Sequence, residues 1–157
     1  MKYARLTKEQ LEEMHQEFIN FLASQSITAE EWEDIKINKP DVAEQELDVF
    51  SDLIWEGVLN KVEHLEHFSA HQIYLFHITT ATINLIAIKI ENEAIDVTTR
   101  DGYNWLRSNL MDDTVNIYTS TKAISDDRNK DIFALIKQGA IITKGELYQY
   151  FNNIVKN

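Results

Sequence analysis

Residues 72–90, QIYLFHITTATINLIAIKI, decide the fold. Two runs rich in β-branched and aromatic residues, Gln72–Ile78 and Ile83–Ile90, flank Thr79-Thr80-Ala81-Thr82. That is the pattern of two antiparallel strands joined by a short connection. In the second run Ile83, Leu85 and Ala87 fall on one face, and Ile86, Ile88 and Ile90 on the other. A strand apolar on both faces must be covered on both, which predicts a central position in a sheet.

Working outward toward the C-terminus, Ala94–Val97 has the composition of a third short strand. Thr98 or Thr99 then caps a helix around Asp101–Asn109 that carries Tyr103, Trp105, Leu106 and Leu110. Thr114–Thr121 alternates Val115, Ile117 and Thr119 against Asn116, Tyr118 and Ser120, a half-exposed strand. Two helices close the chain, Asp126–Gln138, stopped by Gly139, and Lys144–Val155.

Working outward toward the N-terminus, the period changes to helical. Thr7 with Gln10, Thr28 with Glu31 and Thr143 with Glu146 share one signature, a capping threonine and a Glu or Gln three residues on. A helix is predicted over Lys8–Ser24, burying Leu11, Met14, Phe18, Phe21 and Leu22. A second, over Ala29–Ile37, buries Trp32 and Ile35. Pro40, the only proline, suits the first turn of a third helix over Pro40–Leu65, with Leu47, Phe50, Ile54, Val58 and Val62 inward. The fold class is therefore α+β. An N-terminal three-helix segment is expected to pack on a small three- to four-stranded, mostly antiparallel sheet, with helices at the C-terminal end. The 157 residues read as one domain, 1–157, with an acidic helical part (1–66) and a mixed part (67–157).

Charge divides along the same seam. Residues 1–66 hold 16 Asp/Glu against 6 Lys/Arg, whereas residues 67–157 hold 10 against 9. Such asymmetry reports on partners more than on folding. Glu9, Glu13 and Glu17, then Glu30 and Asp34, then Glu44, Asp48, Asp52 and Glu56 form the candidate surface for a basic protein partner. The same acidity weighs against direct nucleic-acid binding, which needs clustered Lys/Arg. A C-terminal helix-turn-helix reading fails for that reason: its second helix offers only Lys144 and Lys156.

Cysteine is absent, so disulfides, thiolate metal sites and cysteine nucleophiles are excluded. The four glycines form no phosphate-cradling loop or nucleophile elbow. The first residues lack an apolar signal core and no apolar run reaches membrane length. The expectation is a cytoplasmic protein that meets no membrane.

One cluster carries a chemical alternative. Four of the five histidines, His64, His67, His71 and His77, lie within 14 residues. If the third helix continued, His64, His67 and His71 would share a 60° sector at 100° per residue, where imidazoles beside Glu63 or Glu66 could hold zinc or another divalent metal. Spacing of this kind matches neither a His-Glu-x-x-His nor a di-iron motif.

The opening MKYARLTKEQLEEMHQEFINFLASQSITAEEWEDIK and the run LIKQGAIITKGELYQYF resemble the two ends of a small bacterial family of unknown function. The resemblance spans essentially the whole chain and implies one unit and a cytoplasmic bacterial protein. It brings no activity and no site residues. The leading expectation is a non-enzymatic interaction protein, associated with translation and free to form a homo-oligomer. A metal-dependent hydrolase or metal-binding module on the histidine cluster is the alternative.

Overall fold

At Thr7 the hydroxyl accepts from the Gln10 amide at 3.2 Å, while the Gln10 side chain accepts from the Thr7 amide at 2.9 Å. This reciprocal box starts α1 (Lys8–Glu13). The computed structural model describes residues 1–156. Among them α1 is followed by α2 (His15–Ser24), α3 (Ala29–Asn38), α4 (Pro40–Leu59), β1 (His64–Ser69), β2 (Gln72–Ile78), β3 (Thr82–Ile90), α5 (Arg100–Ser108), β4 (Val115–Ala123), α6 (Arg128–Lys137), β5 (Ile141–Thr143) and α7 (Glu146–Lys156). The chain divides into two compact units, Met1–Asn60 and Lys61–Asn157.

In the helical unit, the helix predicted over Lys8–Ser24 is broken at Met14, whose backbone (φ −101°, ψ 25°) leaves helical geometry. The ladder still runs across the break, from Met14 N to Gln10 O and from Phe18 N to Met14 O. The core is aromatic. Phe18 meets Phe50 edge-on at 5.1 Å and Trp32 at 5.2 Å, and Phe21 meets Phe50 at 5.4 Å. Offset and edge-on ring pairs of this kind add to plain area burial. Val58, expected inward, is exposed, and Leu59 is fully buried instead.

The sheet unit holds five antiparallel strands in the order β4-β3-β2-β1-β5, one more than the largest number expected. β3, expected to be central, is an interior strand between β4 and β2, while β2 holds the middle position, and the β2–β3 hairpin matches its predicted limits to within a residue. The additional strands come from two segments whose local pattern is ambiguous. His64–Ser69, with its first two residues expected to end the third helix, pairs with β2 from His64↔His77 to Ser69↔Gln72. Without β1, one edge of β2 would leave a row of backbone groups unpaired, and this hairpin pairing across Ala70-His71 outweighs local helix propensity.

Ile141–Thr143 then pairs with β1, and Thr143 sits opposite His64. Thr143 is therefore a strand residue and not a helix cap. Its hydroxyl accepts from the Gly145 amide at 3.2 Å. Gly145 stands at the head of α7, where its carbonyl accepts from Gln149 N. Ala94–Val97 forms a turn and not a strand. The Asp96 carboxylate accepts from both the amide and the hydroxyl of Thr98, so local side-chain bonds replace a ladder.

Paired residues share a face. One face carries Ile73, Leu75, Ile86, Ile88 and Ile90, which form a core with Leu106 of α5 and with Tyr148 and Phe151 of α7. The opposite face presents Phe76, Ile83 and Leu85 beside Ala134 and Leu135 of α6. α6 ends as predicted at Gly139, with φ 118°. Its amide donates to Ile136 O and the Ala140 amide to Leu135 O, the paired bonds of a left-handed helix end.

Candidate functional site

The nine carboxylates marked as a partner surface fall into two groups. Glu44, Asp48, Asp52 and Glu56 recur every fourth residue on α4 and so form one stripe. The protein's own N-terminal segment lies on this stripe. The Asp52 carboxylate accepts from the amides of Lys2 (2.6 Å) and Tyr3 (2.8 Å), and Glu56 accepts from the Tyr3 hydroxyl (2.6 Å). Arg5 donates to Asp48 at 2.7 Å through Nε and to Glu44 through Nη1. Hydrogen bonding to Glu44 and Asp48 raises the guanidinium pKa further. Beneath the ion pairs, the Leu6 amide donates to the buried Ser51 hydroxyl at 3.0 Å. The second group, Glu9, Glu13, Glu17, Glu30 and Asp34 on α1–α3, is exposed.

α2 and α3 also border an apolar groove of about 390 Å³, lined by Phe18, Ile19, Leu22, Ile27 and Trp32. Glu33 and Lys36 stand at its edge and pair with each other at 2.8 Å.

The histidine cluster does not assemble as a helix would place it. His64 and His67 lie on β1, and three residues along a strand point to opposite faces. His64 is buried and stacks on His77, its cross-strand partner, with ring centroids 4.7 Å apart and planes 9° from parallel. Tyr148 of α7 closes over both rings at 5.6 and 5.3 Å. Burial, and after it the neighbouring His77, lowers the His64 pKa below the usual histidine value. His67 instead faces Tyr74 and the backbone at Gly139. His71 lies between β1 and β2, where its Nδ1 donates to Ile95 O at 2.9 Å. Among the described residues no three His, Asp or Glu side chains converge as metal ligands.

A different constellation forms where β1, α5 and α7 meet. A groove of about 510 Å³ is lined by Glu66 and Phe68 from β1, Tyr103 and Arg107 from α5, and Glu146 and Tyr150 from α7. Each helix contributes a pair spaced four apart, so both members share a face. The Arg107 guanidinium lies 6.0 Å from the Tyr103 ring and 5.6 Å from that of Tyr150, within cation–π range of both. Phe68 packs against Tyr103 at 6.3 Å. Burial raises the Glu66 pKa, a hydrogen bond from Thr143 opposes the rise, and the Glu146 charge adds to it. Burial likewise raises the Tyr103 pKa.

Of these residues, the sequence marked Glu66 as a companion of the histidines, Tyr103 as a packing residue and Glu146 as the capping partner of Thr143. The two helical pairs were visible in the sequence, but not their meeting. No described helix is long and apolar enough to cross a membrane.

No curated protein and no solved structure matches this chain. One family does, over residues 1–156, and with it the resemblance carried by the two ends extends along the described chain. The chain belongs to DUF6495, a family of unknown function.

Proposed function

We propose that this chain is a non-enzymatic interaction protein of the bacterial cytoplasm, binding a basic protein partner through its acidic helices. Basic proteins of the translation machinery are the partner class in view. One observation carries the reading: the acidic stripe of α4 already holds a basic segment, Lys2 to Arg5 of the same chain. That stripe is thereby occupied. The working surface is assigned to Glu9, Glu13, Glu17, Glu30 and Asp34, which are exposed on α1–α3. The apolar groove between α2 and α3 adds a place for a partner's hydrophobic anchor among these charges.

Electrostatic association of exposed charges weakens as salt shortens the screening length, from about 10 Å at 0.1 M to about 3 Å at 1 M. A pull-down from the protein's own cell lysate, identified by mass spectrometry, tests the reading. A partner of high isoelectric point is expected at low salt and lost at high salt. It should also be lost when Glu9, Glu13, Glu17, Glu30 and Asp34 are changed together to their amides. Retention that ignores both salt and these substitutions would sink it.

A further inference from the structure

We propose that the β5 edge and the adjoining groove form a second binding site, one that takes an extended cationic peptide by strand addition. The partner's positive charge is all this proposal shares with the preceding one, and on that point it rests on that reading. The site is on a different set of residues.

β5 ends the sheet and pairs with β1 alone among the described strands. Natural edge strands are usually protected by shortness, charge, proline or a bulge, and of these β5, at three residues, has shortness. Here the edge presents Ile141 and Ile142, 62% and 46% exposed. An added strand would pair with its free backbone groups, the mode by which extended peptides join sheets.

The groove beside this edge supplies the charge selection. Glu66 is paired in register with Ile141, so the two side chains stand in one row on one face. A residue added opposite Ile141 would lie two strand spacings from Glu66, about 9.6 Å. The four-carbon stem of a lysine and the side chain of Glu66 close that gap between them. Glu66 and Glu146 are two carboxylates whose mutual repulsion an incoming ammonium would relieve. Among the described residues no ion pair joins Arg107 to either carboxylate, and its guanidinium lies 6.0 Å from the Tyr103 ring and 5.6 Å from the Tyr150 ring. Those rings and Phe68 leave an apolar wall for the stem of the incoming residue.

The probe is a blocked heptapeptide alternating valine and lysine, titrated into the full-length protein and followed by amide NMR shifts. Two further peptides serve as comparisons, one with glutamate for lysine and one N-methylated at alternate residues. The lysine peptide is expected to bind, with the largest shifts at residues 141–143. Glu66→Gln combined with Glu146→Gln should weaken it about tenfold or more, while the variant melts no lower than the native protein. The glutamate and N-methylated peptides should fail to bind at about 1 mM.

Equal affinity for the N-methylated peptide would remove strand addition. Unchanged affinity in the double variant, or no binding of the lysine peptide at all, would overturn the site. Shifts confined to α1–α3, abolished by the amide substitutions there, would overturn this site while leaving the acidic-helix reading intact.

Discussion

Gly145→Ala isolates one contact on which the β5–α7 junction depends. Gly145 has φ 84°, and a Cβ built there would lie 2.4 Å from Cγ and Nδ1 of His64 and 2.5 Å from its Cδ2. The left-handed backbone alone costs a residue with a Cβ about 1–2 kcal/mol. Forcing a carbon into a filled space adds about 1–3 kcal/mol. The contacted atoms are the root of the imidazole, which cannot swing aside as the end of a long chain would. His77 also stacks on it and Tyr148 covers it. The two terms add to a loss of about 2–5 kcal/mol, a fall in Tm of about 4–20 °C at 2–4 °C per kcal/mol.

Thermal and urea unfolding followed by circular dichroism would measure this loss. Repeating the substitution in a His64→Ala background supplies the control. There the clash is absent and only the backbone cost of about 1–2 kcal/mol should remain. A cost below about 1 kcal/mol in the native background, or an equal cost in both, would refute the contact as described.

Ser51→Ala should cost about 1–3 kcal/mol in urea unfolding, because it leaves the buried Leu6 amide without its acceptor. The same variant should speed proteolysis within residues 1–6 by releasing the segment from α4. The lowered His64 pKa makes stability depend on pH in a defined sense. Because the folded state binds the proton less readily than the unfolded one, stability is full above about pH 6.5. It declines as the pH falls through the depressed folded value. His64→Leu should flatten that decline in a pH series of melts. Glu66 has the opposite sign: its raised folded pKa penalises the charged form, so Glu66→Gln should raise Tm at pH 7. Gly139→Ala, at φ 118° and with its Cβ 2.9 Å from His67 Nε2, should cost about 1–3 kcal/mol by the same melts.

Much of this molecule is legible locally. The Thr7–Gln10 box, the Thr28 and Thr99 caps, the β2–β3 hairpin and the helix stop at Gly139 depend on residues within a few positions of each other. Their chemistry is therefore complete in the sequence. The six-residue stretch from His64 to Ser69 is different. HLEHFS alternates well enough for a strand and carries enough polar spacing for a helix end, so no local preference separates the two. The backbone of β2, needing a partner along its edge, makes the choice.

The same physics reassigns Thr143 from cap to strand and adds β5. It also disperses the three histidines to two sheet faces and a turn. The acidic stripe of α4 could be read from its fourfold spacing, but not that residues 2–6 fold back onto it from about forty to fifty positions away. Likewise Glu66, Arg107 and Tyr150 come from three elements and share a groove only through the packing of α5 and α7 on one sheet face. Charge, caps and periods are properties of neighbours in the chain, and the sequence alone determined them. Which strand borders which, and which side chains meet, depends on pairing and burial between distant segments, and only the tertiary structure decided that.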